Sequence, residues 1–113
     1  MGTFVSKEVV VVPFPFSDIN QSKYRPALLL AQIERGDWLA CQITSKSYAD
    51  IQSVELNDSD FEQGGLHRLS YVRPCKIFAI HESLMKDTVG IVRFDTFFRV
   101  VEIIVTVLRR NCT

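Results

Sequence analysis

The chain has 113 residues, 47% of them apolar and 23% charged, with 13 Lys plus Arg balanced by 13 Asp plus Glu. This is enough chain to bury a core but too little for two packed domains, so a single domain over residues 1–113 is expected. The composition excludes disordered, collagen-like and low-complexity classes, and zero net charge excludes binding to a polyanion by bulk attraction while allowing a local basic site.

Short apolar runs dominate the first half. Glu8–Val12 reads as a buried strand, and Pro13-Phe14-Pro15-Phe16 reads as its stiff exit, because proline cannot extend a hydrogen-bond ladder. Ser17–Tyr24 is polar and turn-rich, a surface loop. Pro26–Ile33 and Trp38–Thr44 read as the arms of a hairpin joined by Glu34-Arg35-Gly36-Asp37. Ser45–Asp50 is a second polar loop, and Ser53–Leu56 a short strand. Asn57–Glu62 carries turn and helix-start residues, and Gly64-Gly65 marks another break. Tyr71–Ile80 returns as a strand in which Pro74 implies an edge or a bulge, and Val89–Val92 adds one more.

The last segment carries two periodicities. Phe97, Val101, Ile104, Val105 and Leu108 form one helical stripe, and Val100, Ile103 and Val107 a second. Its Val and Ile content favours strand, but its length exceeds a normal strand. Asp95–Arg110 is therefore expected to be a helix, capped by Asp95 and ended by Arg109-Arg110, with burial on two sides. The sum is a mainly β (α+β) fold: a small SH3-like antiparallel barrel with a C-terminal helix.

Other features narrow the setting. Cys41, Cys75 and Cys112 are widely spaced, with no C-x-x-C pair, so free thiols in a reducing compartment are expected. No signal-peptide h-region and no apolar run of membrane length is present, which implies a soluble, cytoplasmic protein without a membrane partner. P-loop, G-x-G-x-x-G, H-E-x-x-H and G-x-S-x-G patterns are missing. His67 and His81 stand apart from any second ligand, so surface or capping roles suit them better than metal binding, and no metal or cofactor is expected.

What remains is a set of polar residues at strand–loop junctions. In a hairpin turning at residues 34–37, pairing i with 71 minus i sets Arg25 opposite residue 46, within two positions of Thr44. A guanidinium fork and a hydroxyl at one sheet end suit a phosphate. Spacing alone favours a plainer reading, a surface arginine paired with Asp18 or Asp50 and a threonine selected for β-propensity.

Four segments then occur in register: VVPFPFSD (11–18), RPALLL (25–30), CQITS (41–45), and GGL with SYVRP (64–66 and 70–74). Together they closely resemble the PemK/MazF-type toxins of bacterial toxin–antitoxin modules, from about Lys7 to the final helix. The resemblance implies an SH3-like barrel with a terminal helix and a homodimeric, sequence-specific endoribonuclease that cuts single-stranded RNA and is neutralised by a cognate antitoxin. Arg25 matches the family's catalytic arginine, Thr44 its catalytic threonine, and Arg73 a position that some members use against RNA. Asp18, Lys23, Ser45 and Lys46, in or beside the polar loops, are the further RNA-binding candidates, since such loops carry recognition.

The chemistry implied is metal-free attack of a ribose 2′-hydroxyl on the adjacent phosphate. Asn20 stands where many members have a glutamate, and Cys75 where some have an aspartate. The general base is therefore left open, with Asp18 or a water in view. Lys7 occupies a position where glycine is usual. Related toxins that poison gyrase share the fold, so a non-enzymatic interaction module and an inactive, antitoxin-binding relative are the alternatives.

Overall fold

The computed structural model describes residues 4–15, 22–47 and 51–112. Seven strands form one antiparallel sheet: β1 Glu8–Pro15, β2 Ser22–Glu34, β3 Asp37–Thr44, β4 Val54–Leu56, β5 Phe61–Gly64, β6 Ser70–His81 and β7 Asp87–Val92. Their order across the sheet is β4-β6-β3-β2-β1-β7-β5, and one helix, α1 (Phe94–Arg110), follows the last strand. The sheet curls into a nearly closed barrel, as the composition and turn pattern imply.

The curl has a local cause. Leu30 and Ile33 are extra residues in the β2–β3 ladder, a shift at Val9/Val10 interrupts β1–β7, and 74–76 are extra in β6 between the pairs Cys41–Ile77 and Gln42–Arg73. Each bulge raises the right-handed twist, so the long strands bend instead of lying flat. Pro74 sits in the largest of these, fully buried, where no ladder hydrogen bond is asked of it.

Both sheet faces carry apolar side chains, because the strands have near-continuous apolar runs. On one side Val9, Leu28, Ile43, Val54 and Val72 pack with Val100 of α1, supported by Phe97, Ile103 and Ile104. On the other Val10, Val12, Ala27, Leu29, Trp38 and Ile80 pack together with Met85. Burying a Val or Leu side chain contributes roughly 1.5–3 kcal/mol, so these two clusters hold the sheet's curvature in place. The indole nitrogen of Trp38 is buried without a hydrogen-bond partner among the described residues.

Three expectations are corrected. β1 does not stop at Val12: it continues to Pro15, pairing Pro13 with Tyr24 and Pro15 with Ser22. The Lys86 amide donates to the Val11 carbonyl on the β7 side. Pro13 and Pro15, two and four residues on, turn their donor-less nitrogens to that same side, beyond where β7 ends. For the same reason Ser22–Tyr24 belong to β2, not to the loop; residues 16–21 lie outside the described part. At the helix, Arg93 occupies the N-cap position without a side-chain hydrogen bond, and Asp95 is the second residue of the first turn.

The helix start is anchored by Asp60 instead. Asn57 caps a short 3-10 turn, Asp58–Asp60, with a reciprocal capping box. Asp60 then accepts from the buried Thr96 hydroxyl at 2.8 Å, while its carbonyl accepts from the Arg93 amide. Arg109 and Arg110 lie in the last turn, as expected from the helix dipole. Both helical stripes reach the core, Phe97 and Ile104 of one and Val100 and Ile103 of the other, while an apolar edge of the helix stays open. Phe94 and Phe98 stack on each other with centroids 5.8 Å apart, and they and Leu108 remain exposed. No described helix is long and apolar enough to cross a membrane.

Candidate active site

Side chains directly paired across antiparallel strands share a sheet face. One row, Ile43–Val72–Val54, points into the helix-side core. The residues one step along point the other way. Val12 pairs with Arg25, Thr44 with Tyr71, and Tyr71 with Glu55. The register in which Ala27 faces Gln42, continued two residues along each strand, sets Arg25 across from Thr44. A single row, Val12–Arg25–Thr44–Tyr71–Glu55, therefore crosses five strands on one face.

This register differs from the unbulged one by two residues. Pairing i with 71 minus i holds at Glu34–Asp37, but the extra residues Ile33 and Leu30 each move β2 by one, ending at Ala27–Gln42. Arg25 thereby moves from residue 46 to Thr44 itself. Continued past its last pair, the bulged register sets Arg25 and Thr44 at facing backbone positions.

The adjacent row holds Val10, Ala27, Gln42 and Arg73. Arg73 Nη1 donates to Gln42 Oε1 at 3.3 Å, a contact between directly opposite residues of β6 and β3. Lys23, exposed and paired with Phe14, lies two residues before Arg25 and so shares its face. Ser45 and Lys46 are exposed just beyond β3. The Lys46 amide donates to Thr44 Oγ1 at 3.2 Å. That bond fills an acceptor site of the hydroxyl, whose proton has no acceptor among the described residues.

The fold thus brings together Arg25, Thr44, Arg73 and Lys23 of the sequence candidates, with Lys46 adjoining through its backbone. Ser45 makes no hydrogen bond to them among the described residues, and Asp18 lies outside the described part, as does Asn20. Cys75 is in the β6 bulge, where its thiol donates to Gln52 Oε1 at 3.4 Å and it lines a groove of about 130 Å³ against α1. The buried Cys41 thiol is pushed up to about 12, chiefly by burial and then by Cys75. It is a core group and not a nucleophile. Sequence reading missed Gln42, Tyr71 and Glu55. Their only signal is an alternation of polar with buried positions near the strand ends.

The histidines lie elsewhere. His81 caps the 3-10 turn Glu82–Leu84 by accepting from the Ser83 amide at 3.1 Å. His67 lines a cavity of about 240 Å³ with Leu56, Phe61 and Leu66. Among the described residues no group of three His, Cys, Asp or Glu could hold a metal ion. The polar end of this face, with guanidinium and hydroxyl donors at facing positions and further cations alongside, suits a phosphate.

The architecture is that of a small antiparallel barrel with one terminal helix and a set of basic side chains at the strand ends of one sheet face. Residues 6–108 match the model of the PemK-like, MazF-like toxin of type II toxin–antitoxin systems, and the chain belongs to that family. Among solved structures, an endoribonuclease in complex with its cognate antitoxin from Mycobacterial species is 18% identical, with TM-score 0.71 and 96% of each chain covered. MazE-MazF from Deinococcus radiodurans is 18% identical with TM-score 0.75, covering 96% of this chain and 98% of that one. The Mycobacterium tuberculosis toxin MazF-mt6 is 14% identical with TM-score 0.70, covering 90% and 96%. At these identities the likeness establishes the fold. No curated protein sequence matches the chain.

Proposed function

We propose that this toxin is a metal-independent, sequence-specific endoribonuclease that cuts single-stranded RNA by attack of a ribose 2′-hydroxyl on the adjacent phosphate. What supports the reading is the bulged β2–β3 register, which when continued sets Arg25 facing Thr44, with Arg73 on the neighbouring row opposite Gln42. Arg25 offsets charge on the phosphorane with its guanidinium. Thr44 donates its uncommitted proton to a non-bridging oxygen. Arg73 and Lys23 hold the flanking phosphates. Products are a 2′,3′-cyclic phosphate and a 5′-hydroxyl.

Kinship to chains solved as an endoribonuclease with its antitoxin and as MazE-MazF supports control by a cognate antitoxin. The exposed apolar side chains Phe94, Phe98 and Leu108 of α1 support a homodimer, because one protomer leaves this apolar surface in water. Sedimentation at micromolar concentration should give a dimer; a monomer alone would remove that part of the reading.

The decisive experiment incubates the purified chain with a long single-stranded RNA in EDTA and maps the ends. Discrete cuts with 5′-hydroxyl ends are expected. Intact RNA, or cleavage that needs added Mg²⁺, would overturn the proposal.

A further inference from the structure

Attack of a 2′-hydroxyl needs a group to take its proton, and neither Arg25 nor Thr44 can do so. The row across the open face contains one carboxylate. Glu55 on β4 pairs with Tyr71, which pairs with Thr44. We propose that Glu55 is the general base of the cleavage reaction, an inference that rests on the ribonuclease reading above.

The order of the row matches the geometry of the reaction. In-line displacement at phosphorus sets the entering and leaving oxygens on opposite sides of the phosphate. With the phosphate on Thr44, Arg25 stands on one side and Glu55 on the other, beyond Tyr71. Adjacent strands lie about 4.8 Å apart, so Glu55 is roughly 10 Å from Thr44 along the sheet. That gap is the room a ribose needs, lying over the half-buried Tyr71 ring. The Glu55 side chain then reaches back to the sugar's 2′-oxygen.

One oxygen of Glu55 is already oriented. Asn57 Nδ2 donates to Glu55 Oε2 at 3.4 Å, and Asn57 is itself held by its capping bond, accepting from the Ser59 amide at 3.0 Å. Oε1 remains for the substrate. In the step itself, Glu55 takes the 2′-proton as the 2′-oxygen bonds to phosphorus. The P–O5′ bond breaks, its electron pair stays on the 5′-oxygen, and water protonates that oxygen. Glu55 afterwards returns its proton to solvent. No oxidant, reductant or metal enters the balance.

Two substitutions separate this role from recognition. Glu55→Gln keeps a hydrogen-bonding side chain of the same length but cannot accept the proton, whereas Glu55→Asp keeps the base and shortens it. Both changes fall on an exposed residue. Single-turnover cleavage of a single-stranded RNA and its binding are measured for the parent, both variants and Arg25→Ala. Expected are a loss of about 10²- to 10⁴-fold in rate for Glu55→Gln with RNA affinity unchanged, and a smaller loss for Glu55→Asp. If the parent and Glu55→Gln cleave alike while Arg25→Ala is slow, the Glu55 assignment falls and the ribonuclease reading stands. If Glu55→Gln loses affinity in step with rate, Glu55 reads the RNA and is not the base. If the parent leaves RNA intact, both fall together.

Discussion

The Lys46 amide donates to Thr44 Oγ1 at 3.2 Å, turning the end of β3 back on its own last side chain. The bond ties the second polar loop to the row that carries Arg25. It also occupies an acceptor site of the Thr44 hydroxyl. A loop boundary and a hydroxyl are thereby joined by one contact.

The pair proposed for catalysis, Arg25 and Thr44, should respond unequally to truncation. Arg25→Ala removes a permanent charge from beside the phosphorane and should lower RNA cleavage by about 10²-fold or more. Thr44→Ala removes a neutral donor and should cost less. Thr44→Ser keeps the hydroxyl and should stay within a few-fold of the parent. Rates on one RNA substrate, with circular dichroism to confirm the fold, decide the matter; equal rates for parent and Arg25→Ala would remove Arg25 from the site.

How far this arrangement could be read in advance depended on locality. The apolar runs of β1, β2 and β3 and the hairpin turn at Gly36 are local signals. Gly36 in particular has φ of +72°, which favours glycine, and a side chain there would collide with His81. The proximity of Arg25 and Thr44 follows from such a hairpin to within two residues. The final two residues of register come from bulges at Leu30 and Ile33, which carry no turn residue to announce them. Tyr71 and Glu55 reach the row through β6 and β4, strands separated from β3 by long stretches of chain. Pairing of that kind is decided by tertiary packing, so their place could not be seen in composition or spacing. The Asp60–Thr96 contact is distant in sequence for the same reason.

That contact should matter for stability. Thr96 is buried, and its hydroxyl donates to Asp60 Oδ1, while Oδ2 accepts from the Asn57 amide at 2.9 Å. Asp60→Ala strands a buried donor and opens the capping box, a loss of about 1–3 kcal/mol. Asp60→Asn keeps an acceptor and should lose less. Urea denaturation reads both, and an Asp60→Ala variant as stable as the parent would show that α1 is held by its apolar face alone.

Lys7 is the one non-glycine residue with positive φ among the described residues, at +80°. Its amide donates to the Leu29 carbonyl and its carbonyl accepts from the Val92 amide, so the conformation is held from both sides. Glycine adopts it without the Cβ clash, at some cost in unfolded-chain entropy. Lys7→Gly should therefore raise stability by roughly 0.5–1 kcal/mol. Thermal melting of the two chains checks this; a lower midpoint for the variant would mean that the lysine side chain contributes more than its backbone costs.

Cys41 predicts an alkaline limit. Its thiol ordinarily titrates at 9.0 and is pushed up to about 12 in the fold. Below 9 both folded and unfolded chains keep the proton, so nothing changes. Between about 9 and 12 only the unfolded chain releases it, and stability falls as pH rises, by at most about 1.4 kcal/mol per pH unit. Cys41→Ala should flatten that part of the curve relative to the parent while lowering stability at neutral pH through the cavity it leaves. The same burial should leave Cys41 unreactive to a thiol reagent that modifies the exposed Cys75 and Cys112 in the native chain. Equal slopes for parent and variant would refute the assignment.

Control of the proposed ribonuclease should fall on the same open face. A surface that holds RNA phosphates with Arg25, Lys23 and Arg73 presents guanidinium and ammonium donors equally suited to carboxylates. An acidic antitoxin segment that orders on binding would therefore compete with RNA, covering or distorting the loops at 17–24 and 45–51. The chain as a whole is neutral, so the attraction is local. Raising salt should weaken antitoxin binding only moderately, with apolar anchors supplying the remainder. Arg73→Ala should weaken RNA and antitoxin binding together, since Arg73 lies opposite Gln42, one row from Thr44 on the shared face. Co-expression with the small open reading frame next to this gene, followed by cleavage and binding assays, measures both. An antitoxin that binds tightly while cleavage and RNA affinity stay unchanged would place its site elsewhere on the barrel.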